Sequence, residues 1–117
     1  MAGRKGLQNK SNYSNSVSAR TELSNMKQKA KAVFVVLNDK GLHTRPSTEL
    51  VKCAANYSSQ IHLSYRNYVV NAKSILGILM LAAERGAKIS VEAVGEDADQ
   101  AVAAILRLAQ NKFNIKY

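Results

Sequence analysis

Residues 60–72, QIHLSYRNYVVNA, are the stretch from which the fold can be read. Ile61, Leu63 and Tyr65 alternate with Gln60, His62 and Ser64, the two-residue period of a strand buried on one face. Arg66-Asn67 then turns a hairpin into a second strand over 68–72. Moving towards the N-terminus, residues 32–37, AVFVVL, form a continuous β-branched and aromatic run that reads as another strand. Asn38-Asp39-Lys40-Gly41 is turn chemistry, and Pro46 is expected at the first position of a helix, where its missing N–H costs nothing. Leu50, Val51, Cys53, Ala54 and Tyr57 recur at helical spacing, so this helix should run to about Asn56.

Towards the C-terminus, Ser74 precedes an apolar stretch over 75–83 and Gly86 lies beyond it, which predicts a short helix. Residues 88–94 alternate again, with Ile89, Val91 and Ala93 inward. Asp97 is expected to cap a last helix, with Gln100 three residues on as its capping-box partner. Ala98, Ala101, Val102, Ile105, Leu108 and Ala109 form that helix's inner stripe. The order is therefore strand, helix, strand, strand, helix, strand, helix. Only the central two strands are joined by a tight hairpin, and the other connections carry helices. That order predicts the α+β class, with a four-stranded sheet and helices on one face.

The chain has 117 residues, 46% of them apolar and 21% charged, which describes one globular domain with a tail. No apolar run approaches the roughly 18 residues a membrane span requires. Arg4 and Lys5 are not followed by the apolar segment of a secretory signal, so a cytoplasmic location is expected. One cysteine, Cys53, excludes an internal disulfide; on the inner face of the first helix it reads as an inert packing residue. The net charge of +9 is uneven. Residues 1–30 hold six basic residues and one acid, Glu22, for +5; residues 31–117 hold eleven basic and seven acidic, for +4. The first segment is rich in Ser, Asn, Lys and Gln and poor in large apolar residues, so it is expected to be a mobile basic extension. No aromatic interleaving or basic helix in it supports nucleic-acid binding. No Gly-rich phosphate loop and no metal-ligand spacing occurs, so no cofactor and no metal is expected.

The segment with chemistry in it is Gly41-Leu42-His43-Thr44-Arg45-Pro46. His43 lies just ahead of a helix whose first amides lack internal partners and carry a positive partial charge, which makes an anion site. A neutral imidazole there is a nucleophile, and a phosphoryl group placed on it would face those amides. The guanidinium fork of Arg45 reaches the same oxygens, Thr44 adds a hydroxyl, and Gly41 is expected to give the loop freedom to present the ring. His62 points to the open side of its strand and is given no role.

Residues 41–51, GLHTRPSTELV, resemble the active-site segment of the histidine-containing phosphocarrier family, HPr, of the bacterial phosphoenolpyruvate:sugar phosphotransferase system. Residues 70–81, VNAKSILGILML, resemble that family's regulatory-serine segment, and the similarity spans about 31–113. The resemblance implies an open-faced β-sandwich and a carrier domain over 31–117. It implies phosphorylation of His43 on Nδ1, with Arg45 and Pro46 at the positions that follow the family's histidine. It further implies enzyme I as donor, A domains of sugar permeases as acceptors, and a monomeric carrier with no turnover of its own. By the same resemblance Ser74 is a target of HPr kinase/phosphorylase, and Ile75, Leu76 and Leu79 form an apolar docking patch. Residues 79–83 also resemble NPr, the nitrogen-regulatory paralogue, so a regulatory phospho-signalling module is the alternative.

Overall fold

The computed structural model describes residues 28–117. Strand β1 spans Lys29–Val35, helix α1 Thr44–Ala54, β2 Gln60–Tyr65, β3 Tyr68–Asn71, helix α2 Ile75–Met80, β4 Lys88–Val94 and helix α3 Ala98–Gln110; a single 3-10 turn, Lys112–Asn114, follows. The four strands form one antiparallel sheet in the order β1-β4-β2-β3. Ile61, Leu63, Ile89, Val91 and Phe34 face one side and are buried there beneath the helices. The alternation that places them inward leaves Lys31, Glu92, His62 and Asn71 side by side across the opposite face. The class is the expected one, α+β with an open-faced sheet.

β2 and β4 have the predicted bounds, because strict alternation marks a half-buried strand without ambiguity. β1 starts three residues earlier than the apolar run. Lys29 and Lys31 stand exposed while Ala30 and Ala32 pack towards the core, so the strand continues through lysines that never needed burial. Lys29 and Ala30 thus belong to the sheet, and the rest of the basic extension, residues 1–27, lies outside the described residues.

Helix α2 stops at Met80 instead of continuing over 75–83. Ala82 takes φ +50, which breaks the helical path, and Leu81 and Ala83 on either side of it are buried. An alternating pair of apolar residues after a helix looks, in sequence, like more helix. Gly86 does not end α2; with φ +89 it turns the chain into β4, donating its amide to the Val36 carbonyl at 2.8 Å.

Asp97 stands at the N-cap of α3, but its side chain makes no capping bond and no capping box with Gln100 forms. Its carboxylate instead accepts the backbone amides of Ser58 at 2.8 Å and Ser59 at 3.0 Å, together with both serine hydroxyls. These bonds, the Ser59 hydroxyl first among them, hold the Asp97 carboxyl down at about pKa 2. The loop entering β2 is thereby clasped to the start of α3.

Beyond α3, Lys112, Phe113 and Asn114 all have positive φ, of 55°, 55° and 63°. Such a conformation costs about 1–2 kcal/mol per residue. Two features hold it: Phe113 is fully buried edge-to-face on Phe34, and buried Asn38 donates its Nδ2 to the Lys112 carbonyl at 2.9 Å.

Candidate active site

The loop between β1 and α1 is fixed before it reaches the histidine. Gly41 has φ +72, and a Cβ there would run into the Ala83 carbonyl and Glu84. The Leu42 amide donates to that same Ala83 carbonyl at 2.9 Å. Gly41 therefore serves close approach and a left-handed turn, not the loop freedom expected of it. Leu42 is buried, and its carbonyl accepts the buried Ser47 hydroxyl at 3.1 Å.

His43 emerges from this anchored loop at the N-cap of α1, in extended backbone conformation, and the Ser47 amide closes the first helical turn onto its carbonyl at 3.0 Å. Its side chain makes no capping bond. The ring is half-buried; its Nε2 is buried and has no hydrogen-bond partner. Helix α1 starts at Thr44, so Pro46 occupies the third helical position, not the first. It is still in the first turn, where an N–H would have no intrahelical partner. The amides that α1 directs at the N-cap side are thus those of Thr44 and Arg45, with the positive end of the helix dipole behind them.

Thr44 and Arg45 are exposed and Pro46 is buried. His43 and the three residues singled out beside it therefore share one helix start. A fourth neighbour was not legible in the sequence. The Tyr117 ring stacks on the His43 ring, with centroids 5.9 Å apart and planes 10° apart. Its hydroxyl accepts from Arg45 Nη1 at 3.0 Å. Lys40 Nζ also lies 5.2 Å from the centre of the Tyr117 ring. Nothing periodic marks Tyr117, because it follows a left-handed turn; the only sequence hint was aromatic and apolar residues at 113, 115 and 117.

Ser74 is the N-cap of α2 and accepts the Gly77 amide at 3.0 Å. Helix α2 packs against α1. Of the anticipated docking residues, Ile75 is exposed, Leu76 is 69% exposed, and Leu79 is half-buried; Met80, 64% exposed, extends the apolar surface beyond what the sequence indicated. Cys53 is half-buried, and burial pushes its thiol pKa up against the lowering influence of Arg107.

A family model described as the PTS HPr component phosphorylation site matches residues 30–111. The chain is 41% identical over 78 residues to the phosphocarrier protein HPr of Cupriavidus necator, a match covering 67% of this chain and 88% of that one. It is also similar to the crystal structure of HPr-C-His from Thermoanaerobacter tengcongensis, with TM-score 0.72 and 35% identity over 75% of this chain and 99% of that one. For HPr from Bacillus anthracis the TM-score is 0.65 and the identity 32%, over 68% of this chain and 94% of that one. Sheet, helices and matched segment together define a phosphocarrier domain of the phosphotransferase system. The chain belongs to the HPr family.

Proposed function

We propose that the chain carries a phosphoryl group on Nδ1 of His43, receiving it from phosphorylated enzyme I and delivering it to the A domains of sugar permeases. The observation that carries this reading is the position of a half-exposed imidazole at the N-cap of an eleven-residue helix, with its side chain spent on no capping bond. Burial of Nε2 leaves Nδ1 as the nitrogen for the phosphorus atom to meet. The proton of the neutral ring then resides on Nε2. The Nδ1 lone pair forms the new N–P bond as the donor's bond to phosphorus breaks and its electron pair returns to the donor. The acceptor reverses the step. Phosphoryl transfer asks mainly for positioning and for charges facing the phosphoryl oxygens. The Thr44 and Arg45 amides, the Arg45 guanidinium and the Thr44 hydroxyl are the groups placed to supply them.

The apolar surface of Ile75, Leu76 and Met80, with Leu79 at its edge, is the docking face for donor and acceptors. Ser74 borders it and is the proposed regulatory position for an HPr kinase/phosphorylase. A phosphate there adds about −1.5 to −2 charge beside the docking face and repels an acidic partner. The carrier acts as a monomer in the cytoplasm. Among the described residues no helix is long and apolar enough to cross a membrane. The test is incubation with the cognate enzyme I and phosphoenolpyruvate: the chain should gain one acid-labile phosphate, and His43→Ala should gain none. An NPr-like regulatory module would take the same phosphate but pass it to acceptors other than sugar permeases, so timed transfer to both kinds of acceptor separates the two.

A further inference from the structure

We propose that Tyr117 is a positioning residue of the phosphoryl site, acting through Arg45 and the His43 ring; this rests on the carrier reading above. The tyrosine is not a loose end lying on the surface. Phe113 and Ile115 are buried in the core, and Asn38, itself fully buried, donates its Nδ2 both to the Lys112 carbonyl at 2.9 Å and to the Tyr117 carbonyl at 3.1 Å. The segment is therefore pinned at residues 112–115 and again at the Tyr117 carbonyl itself.

Three contacts then converge on one phenol ring. His43 stacks on it at 10° between planes, Arg45 donates to its hydroxyl at 3.0 Å, and Lys40 Nζ sits 5.2 Å from its centre. The separation of 5.9 Å lies within the range of offset aromatic pairs. A phosphorus atom bonded to Nδ1 lies in the plane of the imidazole. A ring over the face of that imidazole leaves the in-plane line of approach clear while opposing rotation of the ring out of line. The hydroxyl meanwhile holds a long, exposed arginine side chain beside the histidine, removing rotamer freedom that would otherwise have to be lost during transfer. Tyr117 thus gathers two cations and sets the nucleophile's plane before the donor arrives.

Tyr117→Phe removes the hydroxyl and keeps the ring; Tyr117→Ala removes both. Transfer from phosphorylated enzyme I should slow by about fivefold in Tyr117→Phe, as loss of one hydrogen bond implies, and further in Tyr117→Ala. The Arg45 Nε order parameter, measured by NMR on the unphosphorylated protein, should fall in both. Arg45→Ala should be slowed no further by adding Tyr117→Phe, since the hydroxyl acts through the guanidinium. A Tyr117→Phe protein that transfers as fast as wild type or faster, or an Arg45 side chain as ordered as before, overturns the proposal. A wild-type chain that takes no phosphate at all while Arg45 loosens on Tyr117→Phe would instead refute the carrier reading and leave the positioning geometry standing.

Discussion

Arg45 meets the Tyr117 hydroxyl at 3.0 Å and, on the proposed function, would also meet the phosphoryl oxygens. Because the side chain is exposed and touches only the exposed Tyr117, Arg45→Ala should leave the denaturation midpoint close to wild type. A charged hydrogen bond contributes about 1.5–3 kcal/mol, so transfer in this variant should slow by roughly ten- to a hundredfold. Stopped-flow transfer from phosphorylated enzyme I checks this, and unchanged kinetics would remove Arg45 from the proposed machinery. The residue scale is also where the sequence was most and least informative. His43, Arg45 and Pro46 stand within four positions of each other, so local helix-start physics and the family resemblance point to the same place. Tyr117 lies 72 positions from Arg45, and no local pattern links them.

At the scale of elements, the loop before α1 and the clasp before β2 decide where the helices start. Gly41→Ala forces a side chain at φ +72 against the Ala83 backbone. It should cost about 1–3 kcal/mol, read as a lower melting temperature, with slower phosphoryl transfer because His43 sits two residues on. Asp97 offers a pH test. Its folded carboxyl titrates at about 2, below its ordinary 3.8, because the Ser59 and Ser58 donors favour the charged form. A depressed carboxyl pKa adds stability that is fully present above its unfolded value and is lost as pH falls through the folded one. Urea midpoints of the wild type should therefore fall towards those of Asp97→Ala as pH drops from about 4 to about 2. A gap that persists unchanged to the acid end of this window would show that the clasp does not act through the carboxylate. The sequence located Asp97 at the helix start but assigned its oxygens to the wrong amides. Both partnerships satisfy the same acceptor, and only the tertiary position of the loop at Ser58-Ser59 decides between them. The end of α2 was misplaced for a similar reason: Leu81 and Ala83 are buried, as helix residues would be, yet an alanine at φ +50 separates them.

At the scale of the whole fold, the described residues form one sheet with its helices on one side, and the segment after α3 closes the core. Phe113 is fully buried against Phe34 in a conformation that is strained, so its burial must offset that strain. Phe113→Ala should destabilise the protein by about 3–5 kcal/mol, measured by denaturant unfolding, and should slow transfer through loss of the Tyr117 seat. A midpoint close to wild type would show that the C-terminal segment is not part of the cooperative core. The sheet was legible from the sequence at this scale because strict alternation in β2 and β4 fixes which face is inward and therefore which side the helices must cover. The closing segment was not legible, since three consecutive left-handed residues have no hydrophobic period to detect.

The most direct test concerns the imidazole at the tip of α1. After reaction of the chain with enzyme I and phosphoenolpyruvate, ¹⁵N–³¹P NMR should show one phosphorus bonded to Nδ1 of residue 43, lost on brief acid treatment and missing in His43→Ala. Phosphate attached to any other side chain, or taken up equally by His43→Ala, would contradict the account.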